Sequence, residues 1–311
     1  MAETLSVVIP IYNEEQVIWE MYKRILKVLS KIDMEYEIIL VDDGSIDRTL
    51  ELAKEICSKD NSVRLISFSR NFGHQFAITA GMDWSSGEAI VVIDADLQDP
   101  PEIIPQMVEK WRSGYHVVYG VRDKRNGENW FKLFTAATFY RILKRITSID
   151  IPVDTGDFRL IDRTVLDYFR PMRERARFVR GMISWVGFKQ GEVKYTRNER
   201  YAGKTKYPFH KMVKFAIDGI LSFSQTPLRI ASIFGFISSF ISFFFLLYGI
   251  IIKLFFPIYA VPGWTSIFTG ILFLGGIQLI CLGVLGEYIG RIYEETKNRP
   301  LYVVNEKVNF T

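Results

Sequence analysis

The first 160 residues alternate short apolar runs with stretches of helical spacing. LSVVIPIY (Leu5 to Tyr12), YEIILVDDGS (Tyr36 to Ser45), VRLISFS (Val63 to Ser69), EAIVVIDAD (Glu88 to Asp96) and HVVYGVR (His116 to Arg122) are apolar and bounded by polar residues or glycine, which predicts strands. Between them, residues 14–30, 47–57, 74–84 and 100–113 carry helical spacing or helix starts. That order predicts an α/β domain, a mostly parallel sheet with helices on both faces, whose ligands sit beyond the carboxyl ends of the strands.

The pattern changes in the second half. No charged residue occurs from Ile230 to Ile252, nor from Leu254 to Gly286. Each run exceeds the roughly 20 apolar residues that cross a bilayer core. Two membrane helices are expected, with Pro257, Pro262 and Gly263 in the turn between them. Arg197, Arg200, Lys204, Lys206, Lys211, Lys214 and Arg229 precede the first run, and Arg291, Lys297 and Arg299 follow the second, whereas the connection has only Lys253 at its edge. The bias of basic residues toward the cytoplasm puts both termini and the N-terminal domain inside, in a multi-pass protein of the cytoplasmic (inner) membrane. YPFHKMVKFAIDGILSF, with Lys211 and Lys214 between apolar positions, reads as an amphipathic helix in the membrane interface. The expected domains are 1–206 for the cytoplasmic α/β unit, 207–228 for the interfacial segment, 229–290 for the two spans and 291–311 for a cytoplasmic tail.

Composition adds limits. With 311 residues and 49% hydrophobic content the chain can bury one large core or two modest ones, and its formal charge of +4 does not indicate nucleic acid. Cys57 and Cys281 give neither a disulfide framework nor a zinc spacing, and MAETLSVVIPIYNEE reaches polar residues too soon to supply a signal peptide. Small residues in GFISS and LGGIQ, with Gln278, allow close helix approach and make a homo-oligomer an expectation.

Candidate chemistry lies at two acidic strand ends. In VVIDADLQDP, strand alternation puts Asp94 and Asp96 on one side, where their charges repel unless a cation or strong donor lies between them. Hard oxygen ligands beside a phosphate suit Mg2+ or Mn2+. Asp99, ahead of Pro100 and Pro101, reads as a helix N-cap. VDDGS offers Asp42 and Asp43 as acceptors for ribose or base donors, although the same residues are ordinary turn chemistry. Neither GxGxxG after the first strand nor GxxxxGK[ST] occurs, so dinucleotide and P-loop readings lose their main support. His74, His116 and His210 are too dispersed in the sequence to imply a site.

VVIPIYNEE, VDDGSIDRT, SRNFGHQFAITAGMD, DADLQDPPE and RYAGKTKY together resemble family 2 glycosyltransferases of the GT-A (Rossmann-like) fold. Within them the chain is most similar to the polyisoprenyl-phosphate glycosyltransferases related to dolichyl-phosphate mannose synthase, in the bacterial GtrB type that loads a sugar onto undecaprenyl phosphate. The resemblance implies a nucleotide pocket lined by Pro10, Tyr12, Asn13, Glu14, Asp42 and Asp43. It implies a DxD motif at Asp94 and Asp96 holding Mg2+ or Mn2+, with Gln98 near the sugar or metal. It further implies a nucleotide-sugar donor, UDP-glucose, and a polyisoprenyl phosphate acceptor; GDP-mannose as donor and a non-catalytic nucleotide-sugar-binding scaffold are the alternatives.

A lipid phosphate needs no general base, because a phosphate monoester with a second pKa of about 6 is largely ionised at neutral pH. The site must instead attract and align a dianion. Arg200, Lys204 and Lys206 flank Gly203 just before the interfacial segment and read either as lipid-phosphate ligands or as general positive-inside residues. Arg122 reads either as a phosphate ligand or as a solvated loop arginine. Asp157 in DTGDFRLIDR reads either as a turn aspartate paired with Arg159 or as a catalytic acid that orients the acceptor.

Overall fold

A computed structural model describes residues 3–124, 155–196, 226–255 and 263–310. Their contacts divide into two compact units, one of residues 1–145, 149–216 and 299–311, the other centred on residues 217–298.

The first unit is built on an eight-stranded sheet. Its elements in chain order are β1 (Thr4–Ile11), α1 (Ile18–Leu29), β2 (Glu35–Asp42), α2 (Thr49–Lys59), β3 (Val63–Phe68), α3 (His74–Trp84), β4 (Ala89–Val92), a 3-10 turn (Pro101–Ile103), α4 (Ile104–Arg112), β5 (Val117–Lys124), β6 (Thr155–Asp162), α5 (Arg163–Phe169), α6 (Val179–Val186) and β7 (Gln190–Thr196). After two long helices, α7 (Thr226–Phe255) and α8 (Trp264–Thr296), the chain adds β8 (Val304–Val308). The strand order is β7-β5-β6-β4-β1-β2-β3-β8. The pairs β1–β2, β1–β4, β2–β3 and β5–β7 are parallel, while β6 runs antiparallel to β4 and β5, and β8 antiparallel to β3.

Both faces of the central strands are covered, which is why they read as unbroken apolar runs. Leu5, Val7 and Ile9 of β1 share a core with Ile18, Met21 and Ile25 of α1, Ile56 of α2 and Ile104 and Met107 of α4. On the opposite face α3 packs so closely that a Cβ on Gly81 would stand 2.1 Å from Val8 Cγ1. Any larger residue there would push α3 off the sheet.

Two segments differ from the sequence reading. TGDFRLID, part of the acidic stretch quoted above, is β6, which inserts between β4 and β5. Residues assigned to a tail form β8, whose half-exposed VNEKV pairs with β3 and covers its edge. Tyr302 stacks on Phe68 with ring centroids 5.1 Å apart, and its hydroxyl donates to Asp83 Oδ2 at 2.9 Å. Asn309 Nδ2 donates to the carbonyls of Cys57 and Val63.

In the second unit α7 and α8 are long and apolar enough to cross a membrane, over Thr226–Phe245 and Phe273–Thr296. Large apolar side chains such as Phe236, Phe245 and Leu279 are exposed along them. The two helices meet where Cys281 Sγ approaches the Ala231 carbonyl at 3.3 Å, so the middle of α8 lies beside the start of α7. The interfacial segment expected over 207–228 lies outside the described residues up to position 225.

Candidate active site

The carboxyl ends of β1, β2 and β4 stand level. Pro10 is registered with Val41, Val8 with Val92, and the Ile93 amide donates to the Val8 carbonyl at 3.0 Å. Asp94 therefore emerges beside Pro10, one residue short of Asp42. The loops after β1 and β2 are laced together: Asn13 N donates to Ser45 Oγ at 3.0 Å, Ile46 N to Asn13 Oδ1 at 2.9 Å, and Glu14 N to Thr49 Oγ1 at 2.7 Å. Asn13 takes a positive φ of 53°, and Gly44 one of 68°. A Cβ on Gly44 would stand 2.5 Å from the Arg70 carbonyl carbon, so the turn in VDDGS admits only glycine.

Asp42 and Asp43 are both buried, and they organise backbone. Asp42 accepts from Ser45 N at 3.1 Å and from Ser67 Oγ at 3.0 Å. Asp43 accepts from the amides of Phe72 and Gly73 and so fixes the loop that leads into α3. Burial raises its pKa although those amides pull it down.

The acidic stretch after β4 departs from the alternation argument. β4 ends at Val92, and Asp94 and Asp96 lie in a turn in which Leu97 has a φ of 59°. Asp96 Oδ1 accepts from Gln98 N at 3.1 Å, an Asx-type turn contact, while Asp94 looks toward His74. Asp99 is buried and accepts from the Tyr195 hydroxyl, and the cap position of the following turn belongs to Pro100. Asp99 therefore lies one residue before the cap position expected for it, and its carboxylate reaches across to β7.

Asp157 on β6 joins Asp94 through residues that the sequence did not single out. Its Oδ1 accepts from Arg180 Nε at 2.7 Å, and its Oδ2 lies 3.3 Å from His74 Nε2 and 3.4 Å from Gln75 Nε2. The same His74 nitrogen is 3.4 Å from Asp94 Oδ1. Arg159, the partner suggested by sequence proximity, donates to the Gly156 carbonyl, and Asp157 takes its guanidinium from α6. His74, set aside above as dispersed, stands between the two acids. Gln75 and Arg180 complete the group, and only the tertiary fold brings them there.

The electrostatics follow from this packing. Burial pushes the Asp94 pKa up to about 6, with the charges of Asp157, Asp99 and Asp96 adding to it and His74 opposing. Burial also disfavours a charged His74, but Asp94 and Asp157 outweigh it and raise the imidazole to about 9. For Asp157 burial is overcome by Arg180 and by hydrogen bonds from His74 and Arg180, which hold it well below the usual carboxylate range. Asp94 Oδ1 is buried without a hydrogen-bond partner. An orphaned, desolvated carboxylate oxygen beside a second acid suits a hard divalent cation. Among the described residues no group of three or more His, Cys, Asp or Glu side chains could hold a metal ion by itself.

Of the other expected residues, Arg122 belongs to β5, and Pro10, Tyr12, Asn13 and Glu14 run from the end of β1 into the laced loop. Arg200, Lys204 and Lys206 lie outside the described residues.

Comparisons with known proteins agree with this architecture. The profile of the family described as "Glycosyl transferase family 2" matches residues 6–169. The chain is 54% identical over 301 residues to the "Uncharacterized glycosyltransferase YkcC" of Bacillus subtilis (strain 168), covering 97% of this chain and 93% of that protein. It is 42% identical over 302 residues to the SfII prophage-derived bactoprenol glucosyl transferase of Shigella flexneri, covering 97% of both. Among solved structures, mannosyl-3-phosphoglycerate synthase from Rubrobacter xylanophilus superimposes with a TM-score of 0.51 at 15% identity, over 70% of this chain and 71% of that one, a likeness of fold. The chain belongs to glycosyl transferase family 2 and is a glycosyltransferase with a GT-A fold.

Proposed function

We propose that this glycosyltransferase moves glucose from UDP-glucose to undecaprenyl phosphate, a polyisoprenyl phosphate, with inversion at the anomeric carbon and at the cytoplasmic face of the inner membrane. The observation that carries the reading is the 42% identity to a bactoprenol glucosyl transferase across 97% of the chain, apolar helices and site included. The helices fit a lipid-bound acceptor, since two crossings by α7 and α8 would hold the domain where such a lipid lies. Because β8 follows those helices yet pairs with β3, the two ends of the chain must share one side of any membrane between them. That supports an even number of spans, independently of the basic residues.

In this reading Asp94 and Asp96 would hold Mg2+ or Mn2+ beside the donor's diphosphate. The cation would supply neutralisation of the charge that develops on the departing nucleoside diphosphate. Pro10, Tyr12, Asn13, Glu14, Asp42 and Asp43 would form the nucleotide side, Asp42 and Asp43 through the backbone they fix. Gln98 and Arg122 would face the sugar and phosphates, and Arg200, Lys204 and Lys206 the lipid phosphate. Asp157, clamped by Arg180 and kept ionised, orients the acceptor side and takes no proton, because the acceptor arrives as an anion.

The test is transfer of radiolabelled glucose from UDP-glucose to undecaprenyl phosphate by the purified full-length protein, with and without Mn2+ or Mg2+. Label in the lipid phase that requires the cation is expected. Absence of label with UDP-glucose, but transfer from another nucleotide sugar, would overturn the donor; silence with every donor tried would overturn the reaction.

A further inference from the structure

His74 leads α3 at the end of the loop whose Phe72 and Gly73 amides are pinned by Asp43, and Gly73 there has a φ of 116°. Its Nε2 faces two acids at once, Asp157 Oδ2 at 3.3 Å and Asp94 Oδ1 at 3.4 Å. The hydrogen bond goes to Asp157, while Asp94 Oδ1 has no hydrogen-bond partner. Asp157 is itself immobilised by Arg180, and the neighbouring Gln75 accepts from Val179 N at 3.0 Å with its other end, tying α3 to the start of α6. The imidazole is therefore held through Nε2 by an Asp157 that Arg180 fixes, and the same nitrogen stands against Asp94 Oδ1.

A nitrogen placed between two carboxylates answers the need that a cation would answer. We propose that His74 is a positioning residue that occupies the counter-ion place beside Asp94 until a divalent cation arrives with the donor's diphosphate, and that it stays on Asp157 afterwards. This deepens the function proposed above and rests on it for the cation and the donor. Imidazole and cation compete for one oxygen, so the protein gives up some cation affinity and in return keeps Asp94 and Asp157 aligned. The part of this that outer partners of metal ligands commonly play is orientation of the ligand; the competition for the oxygen is peculiar to the place of His74 here.

The competition gives a signature that a purely structural role would not. Mn2+ binding is measured by electron paramagnetic resonance on the full-length protein with saturating UDP, for wild type, His74→Ala and His74→Gln. His74→Ala removes a positive charge that competes with the cation, so it is expected to bind Mn2+ about fivefold or more tightly, while its kcat for transfer falls about tenfold as the orientation of Asp94 and Asp157 is lost. Gln can place an amide donor near the lost Nε2 but no charge, so it is expected to keep kcat within about threefold of wild type while binding Mn2+ as tightly as His74→Ala. Unchanged or weaker Mn2+ binding in His74→Ala overturns the proposal and leaves the proposed function standing. No Mn2+ binding by any of the proteins overturns the cation reading and the role of His74 with it. The expected Mn2+ pattern without any transfer of glucose from UDP-glucose to undecaprenyl phosphate supports the place of His74 beside Asp94 and overturns the donor and acceptor proposed above.

Discussion

Glu37, near the start of β2, and Asp94, just past β4, are carboxylates set into opposite ends of one sheet. Around Glu37 the charge is met at close range: Oε1 accepts from Ser6 Oγ at 2.5 Å, Ser86 N at 2.6 Å and Ser86 Oγ at 2.9 Å, and Oε2, buried without a hydrogen bond, is paired with the Arg64 guanidinium at 2.5 Å. Around Asp94 the surroundings are incomplete. Its Oδ1 is buried without a hydrogen bond, three other acids push its pKa up, and His74 offers the opposing charge from 3.4 Å. The amino end of the sheet thus uses a buried acid to join β1, β2 and the turn before β4. The carboxyl end keeps one in a costly state among other acids, and a carboxylate perturbed by burial and like charges at the end of a sheet is a candidate for function.

The contrast predicts opposite responses at the two ends. The largest effect belongs to Asp96→Ala, which should lower glucosyl transfer by about 100-fold or more, because neutralisation of leaving-group charge is worth several kcal/mol. Its urea unfolding midpoint should stay close to wild type. Next, Glu37→Gln should lower unfolding free energy by about 2 kcal/mol, from the loss of a buried charge with its donors left in place, and leave kcat within about twofold. Arg64 is partly exposed, which keeps the figure below that of a fully buried pair. A smaller change is expected from Tyr302→Phe, which removes one hydrogen bond to Asp83 and should cost about 1 kcal/mol in the same unfolding experiment.

A further effect depends on pH. His74 has a pKa raised from 6.5 to about 9, so its stabilising contribution is complete below 6.5 and is lost as pH rises through 9. In metal-free protein the difference in thermal midpoint between wild type and His74→Gln should therefore shrink from pH 6 to pH 10. A difference that grows over that range would contradict the arrangement of His74 between two acids.

What could be read from the sequence follows from how local each feature is. β1 to β4 were legible because burial on both faces leaves uninterrupted apolar runs. Asp94 and Asp96 were legible as a pair because one residue separates them, although the alternation used to orient them stops at Val92. β8 was not, since VNEKV is half-exposed at an edge and only its pairing with β3 makes it a strand. His74 was missed because its partners lie 20 and 83 residues away along the chain, at the ends of other elements. Asp99 misled for the related reason that Pro100 and Pro101 supply a strong local signal, while Tyr195, its partner, is 96 positions distant.

The most direct test of the division between the two ends is one pair of measurements on Asp94→Asn, its transfer rate from UDP-glucose to undecaprenyl phosphate and its unfolding free energy. Removing a desolvated charge from among three other acids should leave the fold as stable as wild type or more so, while transfer falls by about 100-fold or more. Loss of stability with transfer retained would contradict the account and make Asp94 a structural acid like Glu37.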